Sequence, residues 1–340
     1  ATAKSAPAPK TLAQTNFAAQ QVAAFWLAKQ AANLEKATPY GVETILKPTK
    51  HKSTVPSGAA TTKPGLVGSS GDKKKSTATA KNVNLPRTVG KVFFIGADGK
   101  PHWCTGTALQ GRYKNIVATA GHCVFDVKRN RATLDRWVFV PGYYKGKTPW
   151  GIYVGKTAYT HYDFSVYEDG DRNYAFVTVY NGVQAEWEKQ GRSWKLTLKD
   201  AGRLGDNVGG QGLAYNQKLG AQPVFVFGYP SGSHPDGNFA FTGQTLKWSY
   251  GKPFAAQAPA QKAENLQGIK SAFTGEGALG SAWLLKYSNA TRLGYLNGVT
   301  IGVADTDGNG RYDTSLSPYF DGETLQVYQA AEKNWSGKIV

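Results

Sequence analysis

Ile116-Val117-Ala118-Thr119-Ala120-Gly121-His122-Cys123 is the stretch on which the fold of this chain turns. β-branched residues lead, small residues follow, and a histidine then stands beside a cysteine. That order describes a short strand, a tight Ala-Gly turn and an imidazole held at its exit. The one other cysteine, Cys104, lies in His102-Trp103-Cys104-Thr105-Gly106-Thr107-Ala108-Leu109, which reads as the preceding strand.

Outward from there, composition agrees with an all-β body. The 340 residues include 40 glycines, 18 tyrosines and 9 tryptophans, with many short β-branched runs between them. No run approaches the ~20 apolar residues of a membrane helix, and Val22–Ala28 is the longest near the N-terminus. Two cysteines at strand-pair spacing, away from any metal pattern, fit an oxidising compartment. The lack of methionine and the Ala-Thr-Ala start carry the expectation of a mature, secreted form whose signal has been removed.

The formal charge of +17 is uneven, because residues 47–88 hold nine Lys/Arg against Asp72 alone. Read plainly, that segment is a solvated linker. By charge alone it would also favour polyanions such as an anionic cell-wall polymer or a membrane surface. With no base-reading motif, nucleic acid is not an expected partner.

In chain order, residues 1–14 read as disordered, and Thr15 to about Glu35 as an amphipathic helix anchored by Phe17, Val22, Phe25, Trp26 and Leu34. Residues 1–46 thus form an N-terminal extension with one helix, and residues 47–88 a basic, flexible Pro/Gly/Ser/Thr/Lys-rich arm. From Val89, strand candidates recur about every ten residues: 92–95, 104–109, 115–119, 137–140, 152–158 and 174–179, then, after a glycine-rich loop, 224–228, 239–247, 269–273, 282–285 and 294–301. Such spacing means a sandwich or a barrel. Residues 321–333 read as a closing helix.

The His–Cys motif resembles that of the trypsin/chymotrypsin-like serine proteases, and the flanks resemble their bacterial secreted, glutamyl-endopeptidase-like branch. Those flanks are Phe227-Gly228-Tyr229-Pro230, Leu293-Gly294-Tyr295-Leu296-Asn297-Gly298-Val299 and Ser317-Pro318-Tyr319-Phe320. The resemblance spans residues 89 to about 333. It implies two packed six-stranded antiparallel barrels over residues 89–340, the first about 89–200 and the second about 201–320, with a C-terminal helix at about 321–333. It implies a Cys104–Cys123 disulfide, worth roughly 3 kcal/mol for a loop of about 20 residues in the chain-entropy model, and it makes His122 the general base.

The other catalytic positions depart from that pattern. In Asp171-Arg172-Asn173-Tyr174-Ala175-Phe176, register on Tyr174-Ala175 puts Asn173 where the family has aspartate. An amide neither fixes the tautomer of the base nor stabilises its imidazolium. Asp171 is the fallback, about two rises or ~6.6 Å away. In Gly275-Glu276-Gly277-Ala278-Leu279-Gly280-Ser281-Ala282-Trp283, register on the glycines and Trp283 puts Leu279 at the nucleophile and Gly277, Ala278 and Leu279 in the oxyanion loop. Leucine cannot attack a carbonyl. Ser281 would need a two-residue shift that abandons the oxyanion donors.

The resemblance therefore implies a secreted homologue that has lost its chemistry and binds a peptide, protein or cell-wall ligand, as a monomer, in a cleft involving Phe273, Asn297 and Gly298, with Phe273 making the primary pocket apolar or plugging it. A second reading keeps a hydrolase built on Ser281, His122 and Asp171. A third makes the Gln- and Lys-rich residues 10–88 an anchoring or cross-linking substrate. His102, His161 and His234 lack metal-ligand spacing and read as surface or loop residues.

Asp305-Thr306-Asp307-Gly308-Asn309-Gly310-Arg311-Tyr312-Asp313 matches the first nine positions of an EF-hand-type loop. Asp305, Asp307, Asn309, Arg311 (through its carbonyl) and Asp313 would hold a structural Ca²⁺, although Leu316 stands where a bidentate Glu belongs. An Asp/Gly/Asn-rich hairpin turn accounts for the same residues without metal. No cofactor is required by either reading.

Overall fold

A computed structural model describes residues 7–41, 45–50, 61–71, 83–126 and 132–340. In the first half, alternate residues along each strand fall into two different apolar clusters, as a period of two requires. Val92, Phe94, Cys104, Val117, Phe139, Tyr153, Ala175 and Val177 belong to one. Their neighbours Phe93, Trp103, Ile116, Ala118, Val138, Val154 and Phe176 belong to the other. Both faces are therefore buried, and the sheet must close on itself and be covered outside.

It does close. The order is Tyr153–His161, Asp135–Pro141, Val89–Ile95, Pro101–Leu109, Ile116–Thr119, Ala175–Val179, and back to Tyr153–His161. Every step in this six-stranded barrel is antiparallel. Its outer cluster is completed by Ala19, Ala23, Trp26, Leu27 and Leu34 from the N-terminal helix, by Leu325, Val327 and Tyr328 from the C-terminal helix, and by Phe227, Leu284 and Leu296 from the second half.

The second half is a pair of sheets. One runs Lys247–Gly251, Val224–Gly228, Ala282–Ser288, Leu293–Val299, Gly212–Tyr215, Gly65–Val67, and the other Gly302–Ala304, Thr314–Pro318, Ala263–Lys270, Phe254–Ala258, Thr49–Lys50. Side chains bridge them: Ser317 Oγ accepts from Val299 N–H at 2.9 Å, Gln267 Nε2 donates to the Asn297 carbonyl at 2.7 Å, and Ser249 and Ser271 hydroxyls meet at 2.8 Å.

The N-terminal helix spans Asn16–Lys36, with Thr15 accepting from Ala18 N–H as its cap, and it is interrupted at Ala28–Ala31 where the backbone leaves helical angles. The C-terminal helix spans Gly322–Glu332 and is held by an Asp321/Thr324 capping box.

Several expectations need correcting. Residues 7–11 are not disordered but pair antiparallel with residues 157–161. The arm expected to be flexible supplies strands Thr49–Lys50 and Gly65–Val67 to the second half; its residues 51–60 and 72–82 lie outside the described residues. The strand expected at 239–247 is instead Phe241–Thr242 and Lys247–Gly251, and the one at 269–273 lies at Ala263–Lys270. A hairpin, Gly182–Gln190 with Ser193–Gly202, was not anticipated. Among the described residues, no helix is long and apolar enough to cross a membrane.

Candidate active site between the barrels

His122 sits in a 3₁₀ turn, Gly121–Cys123, that follows strand Ile116–Thr119. Cys123 is bonded to Cys104. Residue 121 has to be glycine, since a Cβ there would lie 2.4 Å from the Phe164 ring. That same ring stands edge-on to His122 at 5.4 Å, and the imidazole is only 8% exposed.

Asn173, also buried, grips His122 with both ends of its amide. Its Oδ1 accepts the His122 backbone N–H at 3.1 Å, and its Nδ2 faces His122 Nδ1 at 3.1 Å. The first bond fixes which way the amide points. Its NH₂ therefore donates to Nδ1, and the ring proton of the neutral imidazole resides on Nε2. Nε2 in turn lies 3.1 Å from Glu168 Oε1, to which it donates. A general base needs the opposite tautomer, with the lone pair on Nε2 facing the nucleophile.

Leu279 is fully buried, and its carbonyl accepts from Thr105 N–H at 2.9 Å. Ser281 is fully buried as well, its hydroxyl donating to the Ala278 carbonyl at 2.5 Å. Asp171 turns the other way, accepting from the amides of Glu264 at 3.0 Å and Asn265 at 2.8 Å. Burial pushes its carboxyl up; burial together with the charge of Asp171 pushes neighbouring Asp169 up to about 6. Ser281 and Asp171 are both engaged elsewhere than at His122.

Phe273 is buried against Phe241, at 5.5 Å between rings. Asn297 and Gly298 lie at the seam of the two sheets, Asn297 accepting from Gln267 and Gly298 abutting Ser317. A cavity of about 260 Å³ beside His122 is lined instead by Glu168, Asn173, Lys262, Ile301 and two residues of the N-terminal extension, Ile45 and Leu46. Glu168, five residues before Asn173 in a turn-like acidic run, carries no sign in the sequence of its approach to His122. Ile45 and Leu46 carry no such signal in the sequence, since a lone Ile-Leu pair beside a Lys/Pro-rich segment does not announce what it touches.

His161 and His234 are buried, contrary to expectation, and both are structural: His161 Nδ1 accepts from Asp163 N–H at 3.0 Å and His234 Nδ1 from Tyr312 N–H at 3.1 Å. In the Asp-rich loop, carboxylate oxygens of Asp305, Asp307 and Asp313 come within 4.8 Å of one another. Asp305 also accepts from Gly308 and Gly310 N–H, Asp307 from Asn309, Asn309 from Arg311, and Asp313 from Thr306. The Arg311 side chain turns to Asp236 at 3.0 Å, and Leu316 is buried in the second half. The residues do what an Asx-rich turn requires.

The closed barrel, the bridged sheets beside it and the His–Cys turn define a chymotrypsin-like fold. Among solved structures the chain is similar to the protease Anisep from Arthrobacter nicotinovorans, at 25% identity and a TM-score of 0.57, covering 74% of this chain and 98% of that one. It is also similar to the thermostable serine protease AL20 from an extremophilic microorganism, at 24% identity and a TM-score of 0.57, covering 73% and 98%. A Glu endopeptidase follows at 17% identity and a TM-score of 0.50, covering 76% and 96%. No protein-family model and no curated protein matches the chain.

Proposed function

We propose that this protein is a chymotrypsin-like protease homologue without peptidase chemistry, acting outside the cell by binding a peptide or protein in the cleft between its halves. The observation that carries this reading is the state of His122: it is held by an amide in the tautomer that cannot accept a nucleophile's proton, and the Glu168 carboxylate accepts the hydrogen bond from its Nε2–H. Leu279 at the nucleophile position agrees with it. The Cys104–Cys123 bridge supports an oxidising, extracellular setting. The rival hydrolase reading loses support because Ser281 and Asp171 spend their hydrogen bonds elsewhere.

The test is reaction with a fluorophosphonate, with trypsin as the reactive control, alongside a broad peptide library. The wild type is expected to remain unlabelled and to leave the library intact. Restoring Leu279→Ser and Asn173→Asp together is expected to give little activity until Glu168→Ala also frees Nε2. Label appearing on Ser281 of the wild type would overturn the proposal.

A further inference from the structure

Part of the N-terminal extension crosses from one half of the molecule to the other over the face that holds His122. Thr38 and Pro39 lie parallel to His102 and Trp103, and the Tyr40 N–H donates to the Trp103 carbonyl at 2.9 Å. The chain then changes partner within one residue: the Tyr40 carbonyl accepts the N–H of Gly277 at 3.1 Å. Gly277 opens the loop that corresponds to the oxyanion donors. The Tyr40 ring stands edge-on to Phe94 at 4.8 Å, and Gly41 passes so near Glu276 that a Cβ would meet its Cγ at 2.9 Å. Further on, Ile45 bridges Val303 in the parallel sense, and Leu46 N–H donates to the Val303 carbonyl at 2.9 Å. The Leu46 side chain, 4% exposed, joins the cluster that contains Leu279 and Ile301. Thr49 and Lys50 then pair antiparallel with Gln257 and Ala256.

These are the contacts of an extended peptide laid on sheet edges, where main-chain hydrogen bonds supply affinity and spaced side chains supply selectivity. We propose that residues 38–41 and 45–50 are the resident, intramolecular occupant of the cleft. Its external ligand is then an extended peptide of the same pattern, an aromatic residue six positions before a branched aliphatic one, which binds by displacing them. This rests on the reading that the cleft binds peptide without cutting it, and adds the ligand's chemistry and the reason it is refused at rest. A tethered occupant competes at an effective concentration near the millimolar range. A free peptide of equal intrinsic affinity is therefore excluded until the tethered segment lets go.

The probe is a fluorescein-labelled synthetic peptide of residues 38–50, titrated by anisotropy into the full-length chain as wild type, Leu46→Asp and Leu46→Ser. The serine variant is the milder one and guards against misfolding in the first; thermal melts check both. Hydrogen exchange at the Leu46 amide reports whether the segment has been released. Both variants are expected to exchange faster there and to bind the peptide at least tenfold more tightly than the wild type. Alanine at the peptide's Tyr40 and Leu46 positions is expected to abolish that binding. A folded variant with rapid Leu46 exchange that still ignores the peptide overturns the proposal, as does equal binding by wild type and variants. The peptide's mass after incubation tests the underlying reading separately: a shortened peptide removes the loss of peptidase chemistry, while the anisotropy comparison still decides occupancy.

Discussion

At the scale of the residue, the side-chain amide of Asn173 sets which nitrogen of His122 carries the proton. An aspartate at position 173 would accept a hydrogen bond from His122 Nδ1–H, whereas the Asn173 amide donates to Nδ1, so the ring proton resides on the other side. The expected result is an imidazole of the Nε2–H form in the wild type at neutral pH and of the Nδ1–H form in Asn173→Asp, read from long-range ¹H–¹⁵N correlations of the His122 ring. An Nδ1–H signal in the wild type would remove the physical basis of the proposed inactivity. A second residue makes a separate claim. Lys91 is 1% exposed, its Nζ 3.5 Å from the centre of the Trp103 ring and 4.2 Å from that of Tyr143. Burial lowers the Lys91 ammonium from its ordinary value of 10.5 to about 6. Because the folded value is depressed, the unfolded chain binds the proton more tightly. Lys91 therefore weakens the fold progressively as pH falls from about 10.5 to 6, with the full penalty present below 6. Lys91→Met should be the more stable protein at pH 7, and its advantage should shrink by about 1.4 kcal/mol per pH unit as the medium is made alkaline. Denaturant melts of the two proteins from pH 6 to 9 measure this. A gap that does not change with pH would mean that the ring faces hold the ammonium charged.

At the scale of the element, the C-terminal helix is fastened to the first barrel by a buried cation between two acids. Arg172 reaches Asp321 at 2.9 Å and also bonds Glu323, with all three side chains largely buried. Burial alone would raise Glu323, but His161, its Nε2 3.6 Å from Oε1, and the charge of Arg172 hold it below its ordinary value of 4.5. A depressed carboxylate contributes stability that is complete above the unfolded value and fades as pH falls through the folded one. The stability gap between the wild type and Glu323→Gln should therefore be largest near neutrality and close as the medium is acidified below about 4.5. Arg172→Leu should cost about 3–5 kcal/mol at neutral pH, since it strands two buried carboxylates; thermal unfolding reads both. This helix was legible in the sequence, as were most barrel strands, because their own residues carry the signal: short β-branched and aromatic runs between turn residues, such as Ala175–Val179. The hairpin Gly182–Gln190/Ser193–Gly202 was not, because its tip and outer face are polar and its apolar side, Trp187, Leu196 and Leu198, has meaning only against the N-terminal helix. Thr49–Lys50 and Gly65–Val67 failed for the same reason, since two- and three-residue strands borrow their order from the edges they join. Within the site, the approach of Asn173 to His122 was legible from register. Glu168 was not, because its approach to His122 depends on a left-handed residue ending the short helix Tyr162–Tyr167.

At the scale of the whole molecule, the segment before the barrels is part of the body rather than an appendage. Residues 7–11 widen the first barrel's sheet, and the Tyr180 hydroxyl donates to the Ala13 carbonyl at 2.7 Å. Trp26 is fully buried and its indole N–H reaches the Arg136 carbonyl at 2.6 Å; Trp187 of the hairpin donates to the Leu27 carbonyl at 2.7 Å. The extension thus covers an apolar barrel face that also carries Phe93, Val138 and Val154. Uncovering such a surface costs about 25 cal/mol for each Å². Trp26→Ala alone should cost about 3–5 kcal/mol, by the transfer of a large ring and the void it leaves. Removing residues 1–37 should do more, giving a protein that melts far below the full chain or does not stay in solution, because the barrel's outer face would then meet water directly. Calorimetry of the full chain, Trp26→Ala and the truncated form measures the three together. If the truncated form melted within a few degrees of the full chain, the helix would be a passenger. The strap at Tyr40 and Leu46 would then have to hold its place in the cleft without the anchor that now positions it.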